Sequence, residues 1–265
     1  MEDDAPLTRV RLSKAARQER IVAELRATPT LRVSELAEDL SVSTETIRRD
    51  LDELEARGLI NRTYGGAVRG FEPEPAIAER HRLMVAERES IAAATARHVA
   101  HADALLIGGG ATTTHVARRL AAERKDLVVI THSFGVATVL AANPTITVIM
   151  CPGRYNGREG CVFGAETLDY LRGFHANHAI LGATGLTVDG PNDADVDAAA
   201  VYHAMVDRAA EVTIVADHTK FDRTALSIYA GWSQISRLIT DAPPEGPLAR
   251  ALDRARVTVD IAGRR

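Results

Sequence analysis

Residues 33–52 of the chain have the sequence VSELAEDLSVSTETIRRDLD, and this stretch decides the fold of the N-terminal part. In its second half, Ile47 and Leu51, followed by Leu54, have the i, i+4, i+7 spacing of a helix that buries one face. In the first half of the stretch, Leu36 and Leu40 are about one helical turn apart and predict a shorter helix. The serines of residues 41–43 predict a tight turn between the two helices.

The flanking residues extend this pair of helices. A first helix is predicted over residues 18–27, and Ser34 is a good N-cap for a helix over residues 35–40. The helix that starts near Thr44 is expected to end before Gly58, and the Gly pair in residues 59–68 predicts a two-stranded ribbon. Three short helices and a ribbon are the layout of a winged helix-turn-helix.

The helix that starts at Thr44 has a polar outer face. With Ile47 pointing inward, Glu45 and Arg49 lie on the opposite face, which would enter the major groove of DNA. Hydroxyls contact phosphates or base edges, and arginines bind guanine. The predicted DNA contacts are Ser43, Thr44, Thr46, Arg48 and Arg49, with Arg62 in the ribbon. A protein-interaction module with a solvated charged face remains the alternative.

The composition is that of a globular protein. The 265 residues are 46% hydrophobic and 26% charged, and the formal net charge of −4 does not by itself indicate a nucleic-acid partner. The start of the chain is acidic, and no apolar run approaches the roughly 18 residues of a membrane span. Cys151 and Cys161 lack CxxC spacing. We therefore expect a cytoplasmic protein with no membrane partner and no disulfide.

The composition changes near residue 70. The segment Gly70-Phe71-Glu72-Pro73-Glu74-Pro75 cannot continue a helix. Residues 77–100 then predict one long helix that packs on the C-terminal part of the chain. We divide the chain into a winged helix-turn-helix domain over residues 1–70, a linker and connecting helix over 71–90, and a larger domain over 91–265.

Apolar runs and helical stretches alternate in the larger domain. The predicted helices are residues 113–123, 135–142, 165–172 and 198–209. The apolar runs are residues 104–107, 127–130, 146–150, 179–181, 212–215, 238–239 and 257–259. This alternation predicts a Rossmann-like α/β domain whose mostly parallel sheet is covered on both faces. Ligands bind at the carboxyl ends of such strands.

A glycine-rich loop, Gly108-Gly109-Gly110-Ala111-Thr112-Thr113-Thr114, comes directly after the first strand and begins a helix. Free N–H groups at a helix N-terminus suit one phosphate, and the loop matches neither the P-loop nor the dinucleotide motif. With other strand-end loops it predicts a pocket for a small phosphorylated polyol. The candidate residues are Gly110, Ala111, Thr112, Thr113, Thr131, His132, Ser133, Gly153, Gly182, Thr184, Gly185, Asp217 and Lys220.

Simpler interpretations of these residues remain open. The loop alone is equally consistent with a turn that caps a helix, and Asp217 with Lys220 could be a surface ion pair. Lys220 is one of three lysines in the chain. Three aspartates within residues 193–197 have three alternative interpretations: they supply carboxylates to the pocket, they bind a cation, or they belong to a solvated loop.

Metal and cofactor sites are not predicted. Two HxxH pairs, His98 with His101 and His175 with His178, have a spacing that chelates metal on a helix, but no third ligand is evident.

The chain resembles the DeoR family of bacterial transcriptional regulators. The motifs are TIRRDL at residues 46–51, RTYGGA at 62–67, ILGATGL at 180–186, ADHTKF at 216–221 and LITD at 238–241. The resemblance implies a helix-turn-helix at residues 33–52, a wing contact from Tyr64, and a sensor half that resembles ribose-5-phosphate isomerase in fold. The chain has Gly108 where most members are acidic, Ala111 where most have threonine, and Tyr64 where most have histidine.

The resemblance implies a DNA-binding regulator of sugar-metabolism genes, a repressor rather than an enzyme, controlled by a phosphorylated sugar. Since one winged domain gives modest specificity, we expect a homo-oligomer, a dimer or tetramer, on repeated half-sites of operator DNA. An isomerase with an accessory helical domain is the alternative. It would use Lys220 with one of Asp193, Asp195 or Asp217. A protein-interaction module with an unliganded α/β domain is the third interpretation of the chain.

Overall fold

The computed structural model describes residues 12–27, 30–56, 60–63, 66–69 and 74–263. The chain forms two compact units, residues 1–73 and residues 74–265. Residues 74–90, which the sequence suggested as part of a connecting segment, lie within the second unit. Among the described residues, no helix combines the length and the apolar character that a membrane crossing requires.

The first unit is a winged helix-turn-helix. Its elements are α1 (Lys14–Ala27), β1 (Thr30–Arg32), α2 (Val33–Asp39), α3 (Thr44–Ala56), β2 (Ile60–Thr63) and β3 (Gly66–Arg69). The predicted core stripe of α3 is confirmed, because Ile47, Leu51 and Leu54 are at most 1% exposed. They pack with α1 and α2 residues in one apolar cluster.

Two local predictions for this unit were wrong. The wing has three strands in the order β1-β3-β2 rather than two, since the short segment before α2 also pairs with β3. The helix α2 begins at Val33, and its N-cap is Arg32 rather than Ser34. The side chain of Glu35 accepts the Arg32 N–H at 3.2 Å, which stabilises this earlier start.

The second unit alternates strands and helices. Its elements are α4 (Ile77–Arg80), α5 (Val85–His98), β4 (Ala104–Ile107), α6 (Ala111–Glu123), β5 (Leu127–Thr131), α7 (Phe134–Leu140), β6 (Ile146–Met150), β7 (Arg154–Asn156), β8 (Cys161–Phe163), α8 (Ala165–Leu171), β9 (Ala176–Leu181), β10 (Gly185–Thr187), β11 (Gly190–Asp193), α9 (Val196–Val206), β12 (Ala209–Val215), β13 (Ser227–Ile228), β14 (Arg237–Thr240), α10 (Gly246–Arg254) and β15 (Thr258–Ile261).

The predicted parallel sheet is confirmed. Seven strands run in the order β15-β14-β12-β9-β4-β5-β6, and all their pairings are parallel. Residues of α5, α6 and α7 form an apolar cluster on one face, and residues of α8, α9 and α10 form another on the second face. The strand order reverses between β4 and β9, and such a reversal is where open α/β sheets bind ligands.

The long helix predicted over residues 77–100 is broken into α4 and α5. Met84 lies between them with a left-handed φ of 50°. The guanidinium of Arg88 donates to the carbonyl of Leu83 at 2.7 Å and also to that of Arg80. Because these carbonyls are bonded by a side chain, they are satisfied without a continuous helix.

Candidate functional site

The helix α3 presents a charged face to solvent. The side chains of Arg48 and Arg49 are 57% and 76% exposed, and each lies near Glu45, at 3.8 Å and 3.4 Å respectively. Exposed ion pairs of this kind contribute only about 0–1 kcal/mol. Phosphates or base edges can therefore replace Glu45 as partners of both arginines at little cost.

Hydroxyl groups cluster at the N-terminal end of α3. The Ser43 hydroxyl accepts the Thr46 N–H at 3.2 Å, and the two hydroxyl oxygens are 2.9 Å apart. Thr44 is exposed beside them. Ser43 thus caps the helix, and the partial positive charge of this end favours a phosphate.

The two predicted wing contacts are Arg62 and Tyr64. Arg62 lies in β2, where its backbone pairs with Ala67 of β3, and its side chain is not described. Tyr64 lies outside the described residues.

A buried ion pair holds α3 against α1. The guanidinium of Arg17 donates to both carboxylate oxygens of Asp50, from Nε to Oδ2 at 2.5 Å and from Nη2 to Oδ1 at 3.1 Å. The Arg17 side chain is 11% exposed and that of Asp50 is 2% exposed. The hydrogen bond that Arg17 donates to Asp50 raises the pKa of Arg17. The aspartate of the TIRRDL motif therefore positions the helix rather than facing solvent.

A polar cavity lies at the carboxyl edge of the sheet, between the ends of β4 and β9. The space between its lining residues is about 360 Å³, a volume that includes solvent at the open side of the cavity. The lining residues are Glu74, Arg80, Arg88, Gly109, Gly110, Ala111, Thr112, Thr113, Gly182, Ala183, Asp193, Tyr202 and Lys220. The cavity thus combines the first turn of α6 with charged groups from distant segments.

The loop before α6 requires glycine for steric reasons. A Cβ on Gly109 would lie 2.4 Å from Cys161 Sγ, and Gly110 has a φ of 127°. A Cβ on Gly108 would lie 2.8 Å from the ring of Tyr202, whose hydroxyl donates to the Gly109 carbonyl at 2.9 Å. Tyr202 therefore fills the space that an acidic residue at position 108 would need.

The cations of the cavity are paired with carboxylates, two of which, Asp217 and Glu159, do not line the cavity. Lys220 Nζ donates to Glu74 Oε1 at 2.8 Å, and Arg80 Nη1 is 3.5 Å from the same oxygen. Arg88 Nη2 donates to Asp217 at 3.3 Å. Asp217 and Lys220 are therefore not a surface ion pair, because both are buried and each has a different partner.

The structure brings six of the predicted effector-binding residues to the cavity wall. These are Gly110, Ala111, Thr112, Thr113, Gly182 and Lys220. The hydroxyl of Thr113 donates to the Gly110 carbonyl at 3.0 Å, so its hydrogen is already used within the turn. The remaining seven predicted residues do not line the cavity.

His132 supports the cavity loop from behind. Its side chain is fully buried, and Nε2 accepts the Gly109 N–H at 3.0 Å. Its Nδ1 is 3.1 Å from the Val162 carbonyl, to which it donates in the tautomer that this acceptor requires. Burial lowers the pKa of His132 to about 4, so the ring is neutral. A neutral ring in this tautomer fixes the position of Gly109.

Thr131 and Ser133, on either side of His132, also make structural contacts. The Thr131 hydroxyl donates to the Ile107 carbonyl at 2.7 Å, and Ser133 caps α7 by accepting the Val136 N–H at 3.4 Å.

The other four predicted residues shape the loops around the cavity. Gly153 has a φ of 148°, and a Cβ on Gly185 would lie 1.9 Å from the Arg223 carbonyl oxygen. Thr184 accepts the Ala194 N–H at 3.4 Å. Asp217 is fully buried and accepts the Thr219 N–H at 3.2 Å.

Seven lining residues were not among the predicted effector contacts, namely Glu74, Arg80, Arg88, Gly109, Ala183, Asp193 and Tyr202. The sequence indicated Asp193 as part of an acidic loop and as one candidate base of an isomerase. Burial raises the pKa of Asp193 to about 6, although the Asp195 N–H bonded to its carboxylate favours the charged form. One signal was available in the sequence. Arg88 lies one helical turn before Ile91, and both residues are on the face of α5 that is buried.

Comparisons with known proteins cover both units. Residues 17–70 match the model of the DeoR-like helix-turn-helix domain, and residues 84–242 match that of the DeoR C terminal sensor domain. The glycerol-3-phosphate regulon repressor of Escherichia coli is 31% identical over 86% of this chain and 90% of that protein. The transcriptional repressor AccR of Agrobacterium fabrum is 31% identical over 85% of this chain and 89% of its own length.

Among solved structures, ribose 5-phosphate isomerase A of Methanocaldococcus jannaschii matches with a TM-score of 0.37 and 15% identity, over 51% of this chain and 53% of that chain. A likeness of that size supports no conclusion about fold or activity. The two domain matches and the relatives do show the family. The chain belongs to the DeoR family of transcriptional regulators.

Proposed function

We propose that this chain is a transcriptional repressor of sugar-metabolism genes that binds double-stranded operator DNA and releases it when a phosphorylated sugar occupies the cavity. The observation that carries the proposal is a cavity in which the N-terminus of α6 meets the buried ammonium of Lys220. The family supports the DNA-binding half. One relative is named for the regulon of glycerol 3-phosphate, a small phosphorylated polyol.

On the DNA side, α3 enters the major groove with its N-terminal end first. Arg48 and Arg49 are exposed and only weakly paired to Glu45, so they are available to guanine or to phosphates. Ser43 and Thr44 at the start of the helix add hydroxyls for the backbone. Since the formal net charge is −4, affinity for DNA depends on this local face rather than on the charge of the whole chain.

On the effector side, the phosphate lies at the first turn of α6. The N–H groups of residues 111–113 have no acceptor within the helix and point toward an anion. Lys220 adds a point charge. Asp193, which also lines the cavity, accepts hydrogen bonds from sugar hydroxyls. A phosphate and a polyol are therefore bound by different parts of one cavity.

A symmetric oligomer is part of the proposal, because two winged domains on repeated half-sites give the specificity that one lacks. Two aromatic rings on the surface of the second unit support the proposal of an oligomer. Phe134 and Tyr155 stack edge to face at 5.0 Å although they are 47% and 56% exposed. Light scattering on the full chain should give the mass of a dimer or tetramer, and a monomer would contradict this part of the proposal.

A sugar-phosphate isomerase is the competing function, and Asp193 is the observation that favours it. A carboxylate with a pKa of about 6 in a cavity that also holds Lys220 suits proton abstraction next to a carbonyl. We favour the repressor because relatives that match about 85% of the chain carry that name.

A panel of phosphorylated sugars and their unphosphorylated forms separates these functions. We expect at least one phosphorylated compound to raise the melting temperature, its unphosphorylated form to have no effect, and no compound to be converted. Conversion of a sugar phosphate that is lost in Asp193→Asn would favour the isomerase. A panel without any stabilising compound would contradict the effector half of the proposal.

A further inference from the structure

Glu74 is a buried carboxylate within the proposed effector cavity. Its side chain is 7% exposed and lies among three cations: Lys220 at 2.8 Å, Arg223 at 2.8 Å and Arg80 at 3.5 Å. The side chains of Lys220, Arg80 and Arg223 are themselves only 11%, 13% and 21% exposed, and lysine and arginine seldom reach such burial without a partner. Arg80, Lys220 and Arg223 therefore form an anion subsite, which Glu74 occupies. Arg80 has a second carboxylate partner in Glu159.

Glu74 fits this subsite incompletely. Oε1 accepts a hydrogen bond from Lys220, whereas Oε2 contacts Arg223 without a geometry that aligns a hydrogen bond and has no hydrogen-bond partner among the described residues. A phosphate offers one oxygen more than a carboxylate and carries more charge at neutral pH. It would satisfy the same cations at least as well.

The position of Glu74 in the chain gives this contact a consequence. Glu74 is the first residue of the second unit and comes directly after the segment that leads from the helix-turn-helix unit. Its carbonyl accepts from Arg158 Nη2 at 2.5 Å, and the Ile77 N–H donates to the Arg158 carbonyl at 3.1 Å. The side chain in the cavity and the backbone at the end of the linker are thus held together.

We propose that Glu74 is a tethered substitute for the effector's phosphate: the phosphate displaces it from Arg80, Lys220 and Arg223, and the displaced residue releases the end of the linker. This inference rests on the proposed function. One anion replaces another, so no buried cation loses its partner in either state. The form with the Glu74 side chain bound holds the end of the linker by more contacts than the displaced form, in which the backbone contact with Arg158 remains, so effector and DNA binding oppose each other.

The displacement can be monitored in the wild-type chain by hydrogen exchange, with inorganic phosphate as the probe. We expect exchange to become faster over residues 74–80 and slower over residues 111–114 when phosphate binds. Slower exchange over both segments would mean that Glu74 stays in place beside the anion and would overturn the inference.

A substitution provides the second measurement. Glu74→Gln keeps the size of the side chain and removes the competing charge. Since phosphate no longer breaks a charge-assisted hydrogen bond, its affinity in calorimetry should increase by about 10- to 150-fold. Glu79→Gln, at an exposed position of α4, is the matched control and should change nothing.

Unchanged or weaker phosphate binding by Glu74→Gln would overturn the inference. If phosphate binds the wild type and Glu74 stays in place, the inference fails while the proposed function stands. If neither phosphate nor any sugar phosphate binds either protein, the effector half of the proposed function fails and the inference fails with it.

A separate cluster lies toward the amino-terminal ends of the strands. His178 of β9 and Glu211 of β12 are paired residues of adjacent strands, and His98 ends α5 above them. His98 Nε2 is 3.8 Å and His178 Nδ1 is 3.7 Å from Glu211 Oε2. Both nitrogens are buried and have no hydrogen-bond partner among the described residues.

We infer that His98, His178 and Glu211 form a binding site for a divalent transition metal such as Zn²⁺. Two imidazoles and a carboxylate are an established zinc donor set, and each HxxH pair contributes one histidine. Bonds of about 2.0–2.1 Å require the donors to approach to roughly 3.3 Å of one another. Glu211, which is half exposed, can make that movement. The nearby cation Arg237 is paired with Asp260 at 2.5 Å.

Titration of the full chain with Zn²⁺ against a coloured chelator tests the site. We expect one equivalent to bind, and His178→Gln to weaken it at least tenfold. His203→Gln, at an exposed histidine on α9, is the control. No binding by the wild type, or equal binding by His178→Gln, would show that the space holds water rather than a metal.

Discussion

Asp50→Asn should loosen α3, the helix that we propose binds DNA. The substitution keeps the shape of the side chain but removes the charge that Arg17 contacts through two hydrogen bonds. The Arg17 side chain is only 11% exposed, so its charge stays buried without a counter-ion. Breaking a buried pair by removing one partner costs about 3–5 kcal/mol. We expect the first unit to lose about that much stability.

The assay must report on the first unit alone. Trp232, the single tryptophan of the chain, lies in the second unit, so its fluorescence does not report on α3. Hydrogen exchange over residues 44–56 does report on α3. A loss of about 3–5 kcal/mol corresponds to roughly 10²- to 4 × 10³-fold faster exchange there. Exchange over residues 104–107 in the second unit should not change.

Two further variants control the experiment. Asp39→Asn changes an exposed aspartate of α2 and should have almost no effect. Arg17→Met with Asp50→Leu removes both charges, and it should recover most of the protection that Asp50→Asn loses. Exchange accelerated less than about fivefold in Asp50→Asn, equivalent to roughly 1 kcal/mol, would refute the view that this pair holds α3 in place.

Three other substitutions probe the DNA-binding face and the cavity. Arg49→Ala should cost about 1–3 kcal/mol of binding to one DNA sequence if Arg49 contacts a base, but should weaken all sequences equally in a salt titration if it contacts phosphate. Lys220→Met should bind operator DNA yet need more sugar phosphate for release, by at most about 10- to 150-fold because Glu74 loses the same contact, whereas the exposed Lys125→Met should respond normally. Burial raises the pKa of Asp193 to about 6, so above that pH its carboxylate repels an anion. Calorimetry at pH 7.5 should therefore show roughly tenfold tighter sugar-phosphate binding by Asp193→Asn, and the two proteins should converge at pH 5.

The main sheet was predictable because its strands carry a strong signal. Each of the seven predicted runs coincides with a strand of the seven-stranded sheet, and a strand covered on both faces is continuously apolar. The small strands carry no such signal. In β7 the first two residues, Arg154 and Tyr155, are exposed, and β11 contains glycine and proline. Their pairing depends on neighbours that are distant in the sequence.

The break at Met84 was not predictable from local sequence. Residues 81–84 contain neither glycine nor proline, and their neighbours favour a helix. Arg88, which satisfies carbonyls before the break, is itself held by Asp217, 129 residues further along the chain. The conformation at Met84 is thus set by a tertiary contact.

The cavity was predictable in outline but not in its charges. A glycine-rich loop after the first strand predicts where the cavity lies, because its residues 109–113 line the cavity wall. The partner of Lys220 is not a local feature. Glu74 lies 146 residues away, in a segment whose prolines and acids are typical of an exposed linker. Only the folded chain shows that this carboxylate is buried.

Release of DNA by an effector tests the central claim most directly. The full chain is used to enrich a duplex from a randomised pool, and retention of that duplex is measured with a stabilising sugar phosphate, with its unphosphorylated form and with neither. We predict that one duplex sequence is enriched, that the sugar phosphate releases it, and that the unphosphorylated sugar does not. Failure to enrich any duplex, or equal retention in all three conditions, would contradict the account.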